Sequence, residues 1–381
     1  MEERPEKDST IIANRSKRLK PPGAVIRSWW LYLKEGAMMN IALIGCGGVG
    51  KAFINLLQER EKELETQGID ISLKYIIGSK GGIYDPQGIN KEDFIKYAAS
   101  EEDITKYPEG GSRKLSIDNI IENKDVDILI ELTPTSRDTG EPGMTHITKA
   151  LSSGISVVTG NKGPIMLAYG KLKSLAKDNG VQLAIGCTTG GALPSINAGV
   201  FDLAGSSILS IEGVLNGTTN YIIQEMEAKS ISFEEALKKA QESGIAEADP
   251  SLDIEGWDTA MKMLILVNVL MGEDKTLNDI KVSGIKEITL KDIERAKAKG
   301  KKLKLVGKAV KEKEKLVMSV DLEEISVDHP LYGVDGKNKG VRYVSDTLGD
   351  LTISGGASGT KAAAASVLRD IVNIHKGYRF V

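Results

Sequence analysis

The stretch Asn40-Ile41-Ala42-Leu43-Ile44-Gly45-Cys46-Gly47-Gly48-Val49-Gly50 decides the fold. Asn40–Ile44 is the short apolar run of a buried strand. Gly45–Gly50 has the spacing G-x-G-x-x-G. Beyond it, Phe53, Leu56, Leu57 and Leu64 recur near helical spacing and predict a helix over Lys51–Glu65. A strand, a glycine turn and a helix in that order are what a bound pyrophosphate requires. Gly45 permits the tight turn, Gly47 lets the backbone approach the phosphates, and Gly50 lets helix and strand pack closely. Gly48 and Val49 complete a loop whose free N–H groups open the helix and meet the anion. A plain glycine-rich turn is the alternative, and the flanking elements argue against it. The loop therefore implies a dinucleotide cofactor and, with it, hydride transfer.

Outward from this loop the chain alternates strand and helix. Ile71–Ile77, Val126–Leu132, Ser156–Thr159 and Val181–Ile185 read as strands; Thr145–Ser152 and Leu167–Asn179 read as helices. Val126–Leu132 is nearly all apolar, as in a parallel strand covered on both faces. The pattern predicts an α/β fold with a Rossmann-type doubly wound sheet. It then changes. Ile208–Leu215 is a strand that leads through Asn216-Gly217-Thr218-Thr219-Asn220 into a helix. Ser232–Ser243 is a helix with Ser232 and Glu235 as a capping box. Asp258–Met271 is a buried helix, apolar on nearly every side. Leu303–Val310 and Leu316–Ile325 are antiparallel strands around the charged turn Lys311–Lys315, and Lys361–Ile374 is a closing helix. A second α+β domain is expected over residues 181–344, the one to which the resemblance given below assigns catalysis and dimerisation. The dinucleotide-binding domain is expected over 39–180, completed by 345–381. Residues 1–38 are polar and charged before Pro21-Pro22-Gly23 and Trp29-Trp30. They read as a non-native or disordered extension from a mistaken upstream start, with a true extension as the alternative. Glu2, Glu3, Glu6 and Asp8 oppose a targeting peptide.

Composition narrows the class. The chain has 381 residues, is 41% apolar and 27% charged, and carries a net charge of −3. Nothing here favours nucleic acid or an anionic membrane as a partner. No apolar run approaches the roughly 18 residues that span a bilayer. Two cysteines, Cys46 and Cys187, make no disulfide framework and fit a reducing cytoplasm. The three histidines are scattered and have no metal-ligand spacing.

Two further segments bear on chemistry. The second strand ends at Ser79-Lys80, where an NAD-preferring site would carry a carboxylate for the ribose 2′-hydroxyl. A cation in its place favours NADP over NAD, with a solvated loop lysine as the alternative. Between two helices stand Glu247, Asp249, Asp253, Glu255, Asp258 and Lys262. Asp258 and Lys262 are four apart and share a face of an apolar helix. A charged pair there is either a structural ion pair or a functional site, and chemistry alone leaves both open.

Ala240, Gly244-Ile245-Ala246, Asp249-Pro250, Asp253-Ile254, Gly256, Asp258 and Lys262 stand at the spacing of the homoserine dehydrogenase signature. Asn216–Tyr221, Gly160-Asn161-Lys162-Gly163-Pro164 and Glu131-Leu132-Thr133-Pro134-Thr135 resemble that family's catalytic turn, lysine loop and nicotinamide-facing segment, in the right order. The resemblance runs from about Met39 to the C-terminus. It implies NAD(P)-linked interconversion of L-homoserine and L-aspartate 4-semialdehyde, in threonine and methionine biosynthesis, by a cytoplasmic homodimer. It further implies that Lys262, Lys162 and Asp258 are catalytic, and that Glu247, Asp253, Asp258, Lys162 and Thr218 hold the substrate. Thr133, Lys162 and Gly359, the last in the turn Gly355–Gly359, join Gly45, Gly47, Gly48, Val49, Gly50, Ser79 and Lys80 at the cofactor. A lysine ammonium would stabilise the developing alkoxide and supply its proton.

The match departs at the family's monovalent cation site, usually sodium. Gly186 stands where the family has a glutamate, so the carbonyls of Thr189, Gly191 and Leu193 lack an anionic partner. After Lys361–Ile374 no room remains for the regulatory domain of longer members, so the short form without threonine feedback is expected. Two rival readings stand beside this one. An acylating semialdehyde dehydrogenase would use Cys187 but needs a histidine base, and none is near in sequence. A non-catalytic NADP sensor need not keep Lys162, Asp258 and Lys262.

Overall fold

The computed structural model describes residues 38–380 except 102 and 314; the expected extension over 1–38 lies, but for Met38, outside the described residues. Two sheets organise the chain. The first has strands β1 (Met39–Ile44), β2 (Ile71–Gly78), β3 (Gly81–Tyr84), β4 (Gly111–Ser112), β5 (Ile128–Glu131), β6 (Ser156–Thr159) and β7 (Leu183–Ala184), in the order β4-β3-β2-β1-β5-β6-β7. β2, β1, β5, β6 and β7 run parallel, while β3 and β4 form an antiparallel edge. The chain leaves β1 to one side for β2 and returns on the other side as β5. That reversal opens the crevice where α/β sheets bind ligands.

The apolar run of β1 is explained by its two covered faces. Met39, Ile41 and Leu43 pack with Phe53, Ile54 and Leu57 of the helix Gly48–Thr66. Ala42 and Ile44 face the opposite side, with Leu129 and Val157. The last helix, Thr360–His375, returns to the first face: Ala364, Val367, Ile371 and Ile374, three or four apart, join the Phe53 cluster.

The second sheet holds β8 (Ile208–Val214), β9 (Ile280–Val282), β10 (Lys301–Glu312), β11 (Lys315–Ser326), β12 (Lys339–Ser345) and β13 (Asp350–Gly355), in the order β13-β12-β8-β10-β11-β9. The expected hairpin is present as β10 and β11, paired from Lys301↔Ser326 to Glu312↔Lys315. The helix Trp257–Leu270 is buried between this sheet and the helix Lys162–Asp178. The segments Lys91–Ser100, Ile117–Asn123 and Leu290–Ala298 are further helices, capped by Asn90, Ser116 and Thr289.

Two expected limits move. β7 pairs with β6, so the first sheet runs past residue 180. β12 pairs with β8 on one side and with β13 on the other, so residues 345–355 stay with the second sheet and the return begins after Gly355. Among the described residues no helix is long and apolar enough to cross a membrane.

Candidate active site

Gly45 leaves β1 with φ 107°, and a Cβ there would collide with the Leu132 carbonyl at the end of β5. A Cβ at Gly50 would collide with the Gly45 carbonyl. Above Gly47 the space is open, with no atom within 4 Å of where a Cβ would stand. The helix Gly48–Thr66 begins with no side-chain cap and no acid in its first turn. Its leading N–H groups are therefore free for an anion. The turn before the last helix closes the loop from above: Thr360 Cγ2 lies 3.1 Å from a Cβ built on Gly48, and Gly359 caps that helix. Ser79 and Lys80 form the exposed turn between β2 and β3. The glycine loop, Val49, Thr133 and Gly359 thus share one crevice, and these residues fit a nicotinamide dinucleotide.

Thr133 is held from beneath by Glu131, which is fully buried; the Thr133 N–H donates to its Oε1 at 3.0 Å and the Thr133 hydroxyl donates to the same oxygen. Thr159 of β6 donates to Glu131 Oε2 at 3.2 Å. Asn161 Nδ2 donates to Thr133 Oγ1 at 3.2 Å, and Asn161 caps the helix that opens on Lys162. The ends of β5 and β6 are thereby tied together, and Lys162 projects from them across to the second domain.

There Lys162 Nζ lies 3.4 Å from Asp258 Oδ1. Lys262 Nζ, one helical turn on, donates to Asp258 Oδ2 at 2.5 Å and to the Leu215 carbonyl at 2.8 Å. Asn216 Nδ2 donates to Asp258 Oδ2 at 2.8 Å and to Asp253 Oδ1 at 2.5 Å. Burial alone would raise the Asp258 pKa; the Lys262 and Lys162 ammoniums and the Asn216 amide outweigh it and hold the carboxyl well below the usual range. Asp253 is pushed up instead, by burial and by the Asp258 charge. An ammonium has three N–H donors. Lys262 uses two within the protein, so one remains for a substrate oxygen. Two lysines from different parts of the chain thus converge on one carboxylate.

Not every expected residue joins this cluster. Glu247 is exposed on the loop after Gly244, and among the described residues its carboxylate makes no hydrogen bond or ion pair. Thr218 donates to the Ile245 carbonyl at 3.1 Å and fastens that loop to the catalytic turn. Cys187 is buried and its thiol is pushed up to about 11, chiefly by burial. It is a protonated core residue, which argues against acyl-thiol chemistry. Sequence reasoning missed Asn216, the Leu215 carbonyl, Glu131 and Lys339. Asn216 and Glu131 lay within quoted motifs; Lys339 had no local signal, because only pairing of β12 with β8 brings it here.

The carbonyl loop does not fit a monovalent cation. The Leu193 carbonyl accepts from Ser195 N at 2.8 Å. A Cβ at Gly186 would collide with Asn197 Oδ1, and the Gly186 N–H donates to buried Asp370 Oδ2 at 2.8 Å. Lys339 Nζ lies 3.7 Å from where a Cβ of Gly191 would stand, and a buried ammonium beside these carbonyls repels a second cation. A groove of about 960 Å³ opens between the helices Lys162–Asp178 and Trp257–Leu270, lined by Tyr169, Leu264 and Asn268. Its lining includes neither Asp258, Lys262 nor the glycine loop, so it neighbours the site without forming it.

Known proteins resemble this chain over most of its length. Residues 45–185 match the family model described as homoserine dehydrogenase, NAD binding domain, and residues 194–372 match the model described as homoserine dehydrogenase. A homoserine dehydrogenase of Methanocaldococcus jannaschii is 37% identical over 88% of this chain and 98% of its own length. An NAD(+)-dependent homoserine dehydrogenase of Pseudomonas canavaninivorans is 36% identical over 88% of this chain and 96% of its own. Among solved structures, a putative homoserine dehydrogenase from Archaeoglobus fulgidus superimposes with a TM-score of 0.79 at 31% identity, covering 89% of this chain and 99% of that one. A hyperthermophilic archaeal homoserine dehydrogenase mutant in complex with NADPH gives 0.78 at 26% identity, covering 91% and 100%.

Proposed function

The chain belongs to the homoserine dehydrogenase family, and we propose how its own residues carry the NAD(P)-linked interconversion of L-homoserine and L-aspartate 4-semialdehyde. The convergence of Lys262 and Lys162 on Asp258 carries the reading. A bound nicotinamide cofactor supplies hydride to the aldehyde carbon, or takes it back from the alcohol. Asp258 fixes both ammoniums in place. The remaining N–H of Lys262 stabilises the developing alkoxide and gives it a proton, with Lys162 as the second donor, directly or through water. In the reverse direction a neutral lysine takes the hydroxyl proton. Asp253 receives the substrate ammonium, with Glu247 as its second partner.

Thr133 and Gly359 flank the cofactor above the glycine loop. NADP is the preferred cofactor, because Ser79-Lys80 offers a cation and no carboxylate to the ribose. One relative is solved in complex with NADPH and another is named NAD(+)-dependent, so the preference here rests on Ser79-Lys80 alone. No cation takes part, because Lys339 occupies the neighbourhood of the carbonyl loop. The reaction belongs to amino-acid biosynthesis, ahead of threonine and methionine, in the cytoplasm. The cofactor domain comprises residues 39–185 with the return after Gly355, and the catalytic domain lies between them. Its sheet, through β10 and β11, supports a homodimer.

Parallel assays of homoserine oxidation with NADP and with NAD test the reading. Turnover with the NADP rate higher is expected; no homoserine-dependent reduction of either cofactor would overturn it.

A further inference from the structure

Two lysines among the described residues are buried, Lys304 and Lys339. Lys304 is fully engaged: its ammonium donates to the Val334 carbonyl and lies 3.3 Å from Asp335 Oδ1. Lys339, only 7% exposed, makes no hydrogen bond or ion pair among the described residues. A buried, unpaired ammonium is among the costliest groups a fold can carry, and it persists where it meets an anion that arrives from outside. Its place is set by the second sheet. Gly340 pairs with Val214, which puts Lys339 beside Leu215, whose carbonyl holds Lys262. Lys339 shares its strand face with Val341 and buried Tyr343, and the Tyr343 hydroxyl donates to the Ser195 carbonyl at 2.6 Å. That face looks onto the loop at Gly191, and Lys262, Asp258 and Cys187 lie within its electrostatic reach.

The reaction offers three kinds of anion. Cofactor phosphates belong at the free N–H groups of the helix Gly48–Thr66. The developing alkoxide belongs to Lys262 and Lys162. The substrate's carboxylate remains, and neither Asp253, Asp258 nor Glu247 can accept it, because each bears the same charge. We infer that Lys339 is a specificity-determining residue whose ammonium receives the carboxylate of the amino-acid substrate. This rests on the active site assigned above. It explains why an acid-rich pocket accepts an amino acid and not merely an amine: the carboxylate neutralises a charge that otherwise stays unpaired.

The test uses the full chain and two substrates: L-homoserine, and the amino alcohol in which hydrogen replaces its carboxylate. In Lys339→Met the homoserine KM rises about tenfold to hundredfold, the loss typical of a charged hydrogen bond. The cofactor KM is held, kcat/KM for the amino alcohol falls far less than that for homoserine, and Lys339→Arg restores part of the homoserine affinity. An unchanged homoserine KM, an equal loss for both substrates, or a rise confined to the cofactor KM would overturn the inference. Should Lys339→Met not be recovered folded, Lys339→Gln, which keeps length and polarity, carries the same comparison. A wild-type protein that oxidises no homoserine would instead sink the underlying function, a distinguishable result.

Discussion

Asp258 Oδ2 stands 2.5 Å from Lys262 Nζ, one turn away along a helix that is otherwise mostly apolar. Asp258 Oδ1 faces Lys162 of the other domain. The carboxylate is the hinge of the site's electrostatics: without it, two ammoniums face each other in a partly dry cleft.

Asp258→Asn should therefore lose both activity and stability. Removing one member of a buried charge cluster costs about 3–5 kcal/mol. The pH sign follows from the depressed folded pKa. Wild-type stabilisation by Asp258 is complete above the unfolded carboxylate pKa, about 4, and is lost as pH falls below it. Melting curves between neutral and acid pH should show the gap between wild type and Asp258→Asn narrowing on the acid side. A gap constant with pH would contradict the pairing.

Lys80→Glu should reverse the cofactor preference. A carboxylate at the β2–β3 turn repels a 2′-phosphate and accepts a 2′-hydroxyl. The ratio of kcat/KM for NADP over NAD should fall about tenfold or more, an effect of over 1.4 kcal/mol. Initial rates with both cofactors measure it, and an unmoved ratio would return Lys80 to the status of a solvated loop lysine.

Gly50→Ala should cripple cofactor binding while leaving the second domain's core untouched. The added methyl meets the Gly45 carbonyl, so the turn must open. Fluorescence titration with NADPH should show affinity reduced on the order of tenfold or more, with the melting temperature lowered by a few degrees. Wild-type affinity would mean the loop holds no phosphate.

How much of this was legible beforehand depended on burial. β1, β5 and β6 are covered on both faces, so their apolar runs announced them, and Ser232 with Glu235 announced the helix Phe233–Glu242 through a capping box that is present. The helix Lys91–Ser100 buries Phe94 alone, and β12 carries glycine and charge; neither has a periodicity to read. Lys262 and Asp258 stood out because they are charges in an apolar helix. Asn216, Leu215 and Lys339 join them only through the register of β8 and β12, which local patterning does not encode.

Lys339→Met should stabilise the protein at neutral pH. Burial and the Lys262 charge pull the folded-state pKa down to about 8 from 10.5. The buried ion thus costs up to about 3 kcal/mol below pH 8, and the cost fades as pH rises toward 10.5, where the unfolded state also loses its proton. Melting temperatures should be higher for Lys339→Met at pH 7 and converge with wild type above 10.5. A variant less stable than wild type at pH 7 would show that Lys339 is paired.

The most direct test of the account is steady-state reduction of aspartate semialdehyde by NADPH with Lys262→Met. A methionine keeps the length of the side chain and removes the proton donor. The account predicts kcat lower by a factor on the order of 10²–10⁴, with NADPH affinity unchanged. Near-normal turnover would contradict the role assigned to Lys262.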